Sequence, residues 1–170
     1  MMCFLAGLRI WNKLAYLARM TIAELNAAKM AAKAERYPTF PLAYLKPAKS
    51  SQSDTNSLTA AIVDYVNLHR GCLAYRVNNM GVYREGEKYT DVMGNVKRAE
   101  GKWTKGGGRK GTPDVHCCLH GKYVVIEVKF GRDTQSDEQK DFERDVMESG
   151  GVYLIAKTFD QIVSEIRKFL

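Results

Sequence analysis

The clearest helical pattern in the chain lies at residues 58–66. Its apolar members are Leu58, Ala61, Ile62, Tyr65 and Val66. Spacings of three and four residues put these side chains on one side of a helix, so the pattern predicts an amphipathic helix with one buried face. A similar pattern near the end of the chain, at residues 162–169, predicts a final helix.

Shorter apolar runs between these helices predict strands. Residues 72–77 and 152–156 are rich in aliphatic and aromatic side chains, which suit a pleated, half-buried surface. Before the second run, Ser136 and Gln139 form a capping box that opens another helix. The order of helix, strand, hairpin, helix, strand and helix predicts an α/β fold with a mixed β-sheet flanked by helices.

A hairpin pattern occupies residues 115–130. Alternation sets Val115, Cys117 and Leu119 against His116, Cys118 and His120, and His120-Gly121 is a tight-turn dipeptide. On the second strand, the period of two places Glu127 and Lys129 on one face and Ile126 and Val128 on the other. An apolar strand that carries a carboxylate and an amine on the same face calls for a chemical explanation.

A divalent-metal site is the explanation that we favour. Asp114 precedes the first hairpin strand, so it can meet Glu127 at one end of the hairpin. Mg²⁺ binds oxygen atoms and usually takes one or two carboxylates from a protein, and the backbone carbonyl of Val128 offers a third oxygen. A bound metal lowers the pKa of water and neutralises charge on a phosphate. Lys129 would donate to that water or to phosphate oxygens.

Two simpler interpretations remain open at this point. Glu127 and Lys129 are also what a solvated strand face with an ion pair would carry, and Asp114 is also a common turn residue after proline. A second metal type is less compatible with the pattern. His116, Cys118 and His120 share a strand face, but three ligands on one flat strand spread along its length, which disfavours a structural zinc site.

The same motifs resemble those of the PD-(D/E)XK nuclease superfamily. Three segments, at 111–114, 126–129 and 136–139, are similar to its VRR-NUC branch, including small stand-alone members of the phage type. The resemblance covers roughly residue 58 to the C-terminus. It implies a restriction-endonuclease-like fold with an αβββαβ core. It also implies a Mg²⁺- or Mn²⁺-dependent endodeoxyribonuclease that leaves a 3′-hydroxyl and a 5′-phosphate. Gln139 would orient the attacking water, contact DNA or simply cap its helix.

One position departs from the family pattern. The family usually adds an acidic residue early in the first core helix, and here Asp54 is the only acid at that helix start. The resemblance implies a homodimer that cuts branched DNA, such as a Holliday junction. A duplex or flap nuclease is the alternative within the same class, and a nucleic-acid-binding module with a degenerate nuclease site is the alternative function from another class.

The first part of the chain predicts an extension to the catalytic domain. Residues 1–19 are apolar and aromatic with interspersed basic residues, which suits a surface-seeking amphipathic helix rather than a membrane span. Translation from Met20 is the alternative, with a capping box at Thr21 and Glu24. Prolines and serines then predict a linker. We therefore expect an extension and linker at residues 1–53 and a nuclease domain at 54–170.

Composition limits the partners and the compartment. The chain has 170 residues and a net charge of +7, which suits a polyanionic partner such as DNA. Four cysteines without a CxxC pair favour a reducing cytoplasm, in a bacterial or phage-infected cell, over a disulfide-rich secreted protein. No membrane partner is expected.

Residues 81–110 predict a long polar loop with functional contacts. Its second half is basic, contains one tryptophan and three consecutive glycines, and leads directly to Asp114. Such residues suit phosphate contact and base stacking. A solvated hairpin with its tryptophan packed on the domain is the alternative. The predicted nucleic-acid-binding residues are Arg76, Lys102, Trp103, Lys105, Arg109, Lys110 and Arg132.

Overall fold

The computed structural model describes residues 20–78, 81–104 and 106–170. Its α-helices are α1 (Ile22–Arg36), α2 (Thr55–Asn67), α3 (Asp137–Glu148) and α4 (Phe159–Ile166), with short 3-10 helices at Leu42–Tyr44 and Arg167–Phe169. Its strands are β1 (Cys72–Arg76), β2 (Val82–Arg84), β3 (Lys88–Thr90), β4 (Val96–Arg98), β5 (Lys102–Thr104), β6 (Val115–Leu119), β7 (Lys122–Val128) and β8 (Val152–Ala156). No helix in these described ranges has the length and apolar character needed to cross a membrane.

The central sheet is mixed. Its strand order is β1-β6-β7-β8, in which the first three strands are antiparallel neighbours and β8 runs parallel to β7. The α/β class and the mixed sheet predicted from the sequence are therefore confirmed. The parallel pair has α3 as its crossover, which is the usual way to join parallel strands.

Local sequence signals fix where the helices begin. Capping boxes form at Thr21 with Glu24, at Asp54 with Ser57 and at Ser136 with Gln139. In each box the side chain of each residue accepts a hydrogen bond from the backbone N–H of the other, and these N–H groups have no partner within the helix. The helix starts predicted at Thr21 and Ser136 are confirmed.

The two faces of β7 take part in different packing. Val124, Ile126 and Val128 join the main core, which α1, α2 and α4 cover. Val125 lies on the opposite face with Val146 of α3. The alternation predicted for the hairpin is thus present, and the strand that carries the candidate site is covered on both sides.

Residues before α2 belong to the same packing unit. Met20 and Leu25 are fully buried in the main core. In the expected linker, Ser50 exchanges two hydrogen bonds with Asn26, and Gln52 accepts one from the backbone of Phe159. The division expected at residue 53 therefore does not appear as a break in packing. The helix expected within residues 1–19 lies outside the described residues.

The expectation of a structureless loop at 81–110 is wrong for residues 82–104. We call these residues the hairpin arm. β2 pairs with β5 at its root, and β3 pairs with β4 nearer its tip. A Cβ on Gly86 would lie 1.9 Å from the carbonyl oxygen of Ala99, so the two sides of the arm approach as closely as only glycine allows. The hairpin that the sequence offered as the alternative is therefore present, built from strands of only three residues.

Candidate active site

Asp114 lies where β6 begins and is held by both neighbouring strands. Its Oδ2 accepts a hydrogen bond of 3.0 Å from the backbone N–H of Val128. Its carbonyl oxygen accepts one of 2.8 Å from the backbone N–H of Val77. Asp114 is therefore fixed at the end of the hairpin beside Glu127 and Val128, as the strand pattern predicts. A turn residue without further contacts would lack these two bonds.

Glu127 and Lys129 lie in the interior of the protein. They are 3% and 5% exposed, and Lys129 Nζ lies 3.1 Å from Glu127 Oε1. The alternative of a solvated strand face is excluded by this burial. Buried charges carry a large desolvation cost unless they are paired, so an ion pair at this place is unusual unless it has a function.

Gln139 joins the two charged groups. Its Nε2 donates to Glu127 Oε1 at 2.5 Å, and its Oε1 accepts from Lys129 Nζ at 2.8 Å. The same Oε1 accepts from the backbone N–H of Ser136 at 2.9 Å. The capping box of α3 thus fixes the amide that orients the buried pair. Gln139 therefore caps α3 and contacts the buried pair at the same time, whereas the sequence offered the cap as a separate alternative.

The glycine that opens the 111–114 segment brings it onto α3. Gly111 has φ +75°, and a Cβ there would lie 2.1 Å from the carbonyl oxygen of Glu138. A larger residue would be strained by the backbone angle and would also collide with the first turn of α3. The close approach places Asp114, three residues later, next to the cluster around Gln139.

One oxygen of the cluster has no partner among the described residues. Glu127 Oε2 is buried and accepts no hydrogen bond from any of them. Burial, followed by the negative charge of Asp114, raises the pKa of Glu127 to about 7, although Lys129 opposes the change. A buried oxygen of this kind is satisfied by a proton or by a cation. It is the one feature of the cluster that the protein itself does not complete.

The donor set fits a hard cation better than a soft one. Among the described residues, no group of three or more His, Cys, Asp and Glu side chains is arranged to hold a metal. The protein would therefore supply two carboxylates, Asp114 and Glu127, with backbone oxygen from Val128 and water completing the shell. That share is usual for Mg²⁺ and falls short of what structural zinc requires.

Asp54 does not stand out as a further ligand. Its carboxylate caps α2 by accepting from the backbone N–H of Ser57 at 2.9 Å, and this bond lowers its pKa. The start of α2 nevertheless lies near the site end of the sheet, because Asn56 accepts a hydrogen bond of 2.6 Å from Arg76 at the end of β1.

Sequence reasoning missed a cleft on the open side of Lys129. It has a volume of about 360 Å³, and its charged lining residues are Lys129, Asp133, Lys140 and Lys157. Asp133 Oδ2 lies 3.5 Å from Lys129 Nζ. No strand periodicity relates Asp133 to Lys129, because the turn at Gly131 reverses the chain between them. The triad of lysines comes from three separate elements, so only the fold brings it together.

The predicted nucleic-acid-binding residues fall into three groups. Lys102 and Trp103 are exposed on the arm root, where Trp103 packs against Tyr83 with ring centroids 5.6 Å apart. Arg109 lies in the loop before Asp114 and is held against α3, where it pairs with Asp145 and lies 5.0 Å from the ring centroid of Phe142. The third group consists of exposed side chains, namely Arg76, Lys110 and Arg132. Lys105 lies outside the described residues.

A larger cleft connects the arm root to the site. Its volume is about 560 Å³, and its walls include Trp103, Arg109 and Lys110 on one side and Ser136 and Gln139 on the other. Gln139 therefore separates two clefts, since its amide also contacts Glu127 and Lys129. A polyanionic strand that lies along the basic residues of the arm root would reach Gln139, which borders the buried cluster.

Comparison with protein-family models and with curated proteins found no match to this chain. The function is therefore inferred from the residues and their geometry.

Proposed function

We propose that the protein is a metal-dependent endodeoxyribonuclease. The observation that carries the proposal is the buried cluster of Glu127, Lys129 and Gln139 beside Asp114, in which Glu127 Oε2 lacks a partner. A fold has no structural reason to bury a carboxylate with one unsatisfied oxygen, and strongly perturbed groups in clefts are typical of functional sites.

The fold supports the same class. From α2 to β8, with the hairpin arm set aside as an insertion, the element order is αβββαβ, with three antiparallel strands and a fourth that is parallel to the third. This order supports the restriction-endonuclease-like core that the resemblance to the VRR-NUC branch implies. Asp114, Glu127 and Lys129 fall at its Pro-Asp and Glu-x-Lys positions.

Each residue has a separate role in the proposed reaction. Asp114 and Glu127 hold Mg²⁺ or Mn²⁺, together with the carbonyl of Val128. The cation, when bound, makes water a better nucleophile and stabilises charge on the phosphate. Lys129 donates to the water or to phosphate oxygens, and Gln139 holds the side chains of Lys129 and Glu127 in position. In-line attack on phosphorus leaves a 3′-hydroxyl and a 5′-phosphate.

The proposed partner is branched DNA, bound by a homodimer in the cytoplasm. The net charge of +7 supports a polyanionic substrate. The exposed basic residues are dispersed over loops and the arm root, so they suit the phosphate backbone rather than base edges. A nucleic-acid-binding module with a degenerate site is the second candidate, and the use of Asp54 as a helix cap is the observation that favours it.

A cleavage assay separates the two candidates. Labelled four-way junction, flap, duplex and single strand are incubated with the full chain in Mg²⁺, Mn²⁺ or EDTA. We expect cleavage of branched DNA with either metal, none in EDTA, and none by Asp114→Asn or Glu127→Gln, both of which should still bind DNA. Asp141→Asn is the matched control and should cleave normally, because this exposed acid on α3 forms its ion pair with Arg144, away from the buried cluster. Metal-independent binding without cleavage of any substrate would favour the binding module.

A further inference from the structure

The tip of the hairpin arm presents two apolar side chains to solvent. Val92 and Met93 are 103% and 81% exposed, the largest values among the large hydrophobic residues described. Val96, on the adjoining strand, is also well exposed. Exposed apolar side chains scattered singly over a surface need no explanation, but neighbouring ones at the end of a projection indicate contact with another molecule.

The turn that carries these side chains is well formed. Asp91 Oδ1 accepts hydrogen bonds of 2.9 Å from the backbone N–H groups of Met93 and Asn95. Its other oxygen lies 2.8 Å from Lys97 Nζ. Gly94 supplies the positive φ that the turn needs. The two apolar side chains are therefore held outward by a defined turn.

The position and charge of the arm indicate what its tip contacts. The outer half, at residues 88–98, carries Lys88, Lys97 and Arg98 against the single acid Asp91. The ion pair of Arg98 with Glu85 is exposed on both sides, and such a pair is weak enough to exchange for phosphate. Lys97 is also exposed, although its partner Asp91 is largely covered. At the other end, Trp103 lines the cleft that reaches Gln139. A nucleic acid bound in that cleft meets the arm.

We propose that the arm tip is a wedge that inserts Val92 and Met93 at an interrupted base step of DNA. The proposal rests on the proposed function and deepens it by naming how branched DNA is selected. Apolar wedges enter DNA between base steps at the cost of unstacking them. At a branch point the stack is already broken, so insertion costs least there. Fully extended, residues 82–90 would span at most about 26 Å, which is enough to reach several base pairs from the root.

The test measures unstacking without cleavage. A four-way junction with 2-aminopurine at the branch, and a linear duplex with the same base, are titrated with the full chain in EDTA. The double variant V92S/M93S removes the apolar tip, V92I/M93L keeps it, and V82S makes the same change at the exposed arm root. All four proteins are compared by circular dichroism and sedimentation velocity.

We expect wild type, V92I/M93L and V82S to raise the fluorescence of the junction and not that of the duplex. V92S/M93S should lose this increase, and its junction Kd should rise about tenfold, the scale of losing one stacking contact with a base. Unchanged fluorescence and affinity in V92S/M93S would overturn the wedge. So would a dimer in wild type that becomes a monomer in V92S/M93S, because the tip would then contact a second copy. If wild type cleaved no DNA in the metal-dependent assay described above, that result would count against the proposed function and not against the wedge.

Discussion

Replacing Glu127 by glutamine should remove a pH-dependent instability of the fold. The folded protein raises the pKa of this carboxyl from its ordinary value of 4.5 to about 7, chiefly through burial. Each unit of pKa corresponds to about 1.4 kcal/mol, so the difference amounts to about 3 kcal/mol between the two protonation states. Glutamine has nearly the same shape and stays neutral at every pH.

The sign of the effect follows from proton binding. Between about pH 4.5 and pH 7 the folded state holds a proton on Glu127 that the unfolded chain has released, so the free energy of unfolding falls as pH rises. The favourable contribution is complete below the unfolded pKa and is lost above about pH 7. Glu127→Gln should therefore match wild type near pH 4.5 and exceed its stability at pH 8 by about 3 kcal/mol.

The measurement is thermal unfolding of both proteins in EDTA across this pH range. For a chain of this size, about 3 kcal/mol corresponds to a Tm difference of roughly 6–12 °C at pH 8. Mg²⁺ should reduce the difference by binding ionised Glu127 in wild type only. Parallel pH profiles for the two proteins would refute the reasoning, because they would show that Glu127 titrates as an ordinary exposed acid.

Three further predictions concern activity. Lys129→Ala should lose at least about 10²-fold in cleavage rate, the scale of one preorganised donor, and Lys129→Arg should not restore it, because a guanidinium is too large for the buried position; near-normal rates would remove Lys129 from the mechanism. Deletion of residues 1–19 should leave cleavage intact in the same assay, since Asp114 and the other motif residues follow the proline-rich segment in the chain; a folded but inactive truncation would contradict this. Neutralising four basic residues together should raise the Kd for DNA and flatten its dependence on salt while Tm changes little, and an unchanged salt slope would contradict the assignment; the four are Lys102, Lys105, Arg109 and Lys110.

Short-range signals account for what the sequence predicted well. The capping boxes at Thr21 and Ser136 involve residues three apart, and the alternation of β7 depends only on neighbouring positions. The meeting of Asp114 with Glu127 needed one further inference, that a tight turn at Gly121 makes an antiparallel pair. Each of these steps uses contacts whose geometry the local chain determines.

Long-range contacts account for what the sequence did not predict. The hairpin arm could be offered only as an alternative, because its three-residue strands are too short for periodicity to show. Arg109 was expected in a long polar loop but packs on Phe142, which lies 33 positions later in the chain. Lys140 and Lys157 line the same cleft as Lys129 only because α3 and the end of β8 dock beside it. In each case the deciding contact depends on where separate elements dock, and the composition of either segment alone does not specify that.

Gln139 explains how the buried charges of Glu127 and Lys129, which cost the fold stability, are still held in fixed positions. Its side chain satisfies the first turn of α3 and, with the same amide, holds a buried ammonium and a buried carboxylate. Apolar residues at both 127 and 129 would remove the desolvation cost of the ion pair, so stability alone does not explain the pair. Because the helix cap fixes the amide, contacts within the protein hold the charged groups in their geometry. A preorganised site of this kind needs no rearrangement when charge develops on a phosphate, and this is the condition under which electrostatic stabilisation accelerates a reaction most.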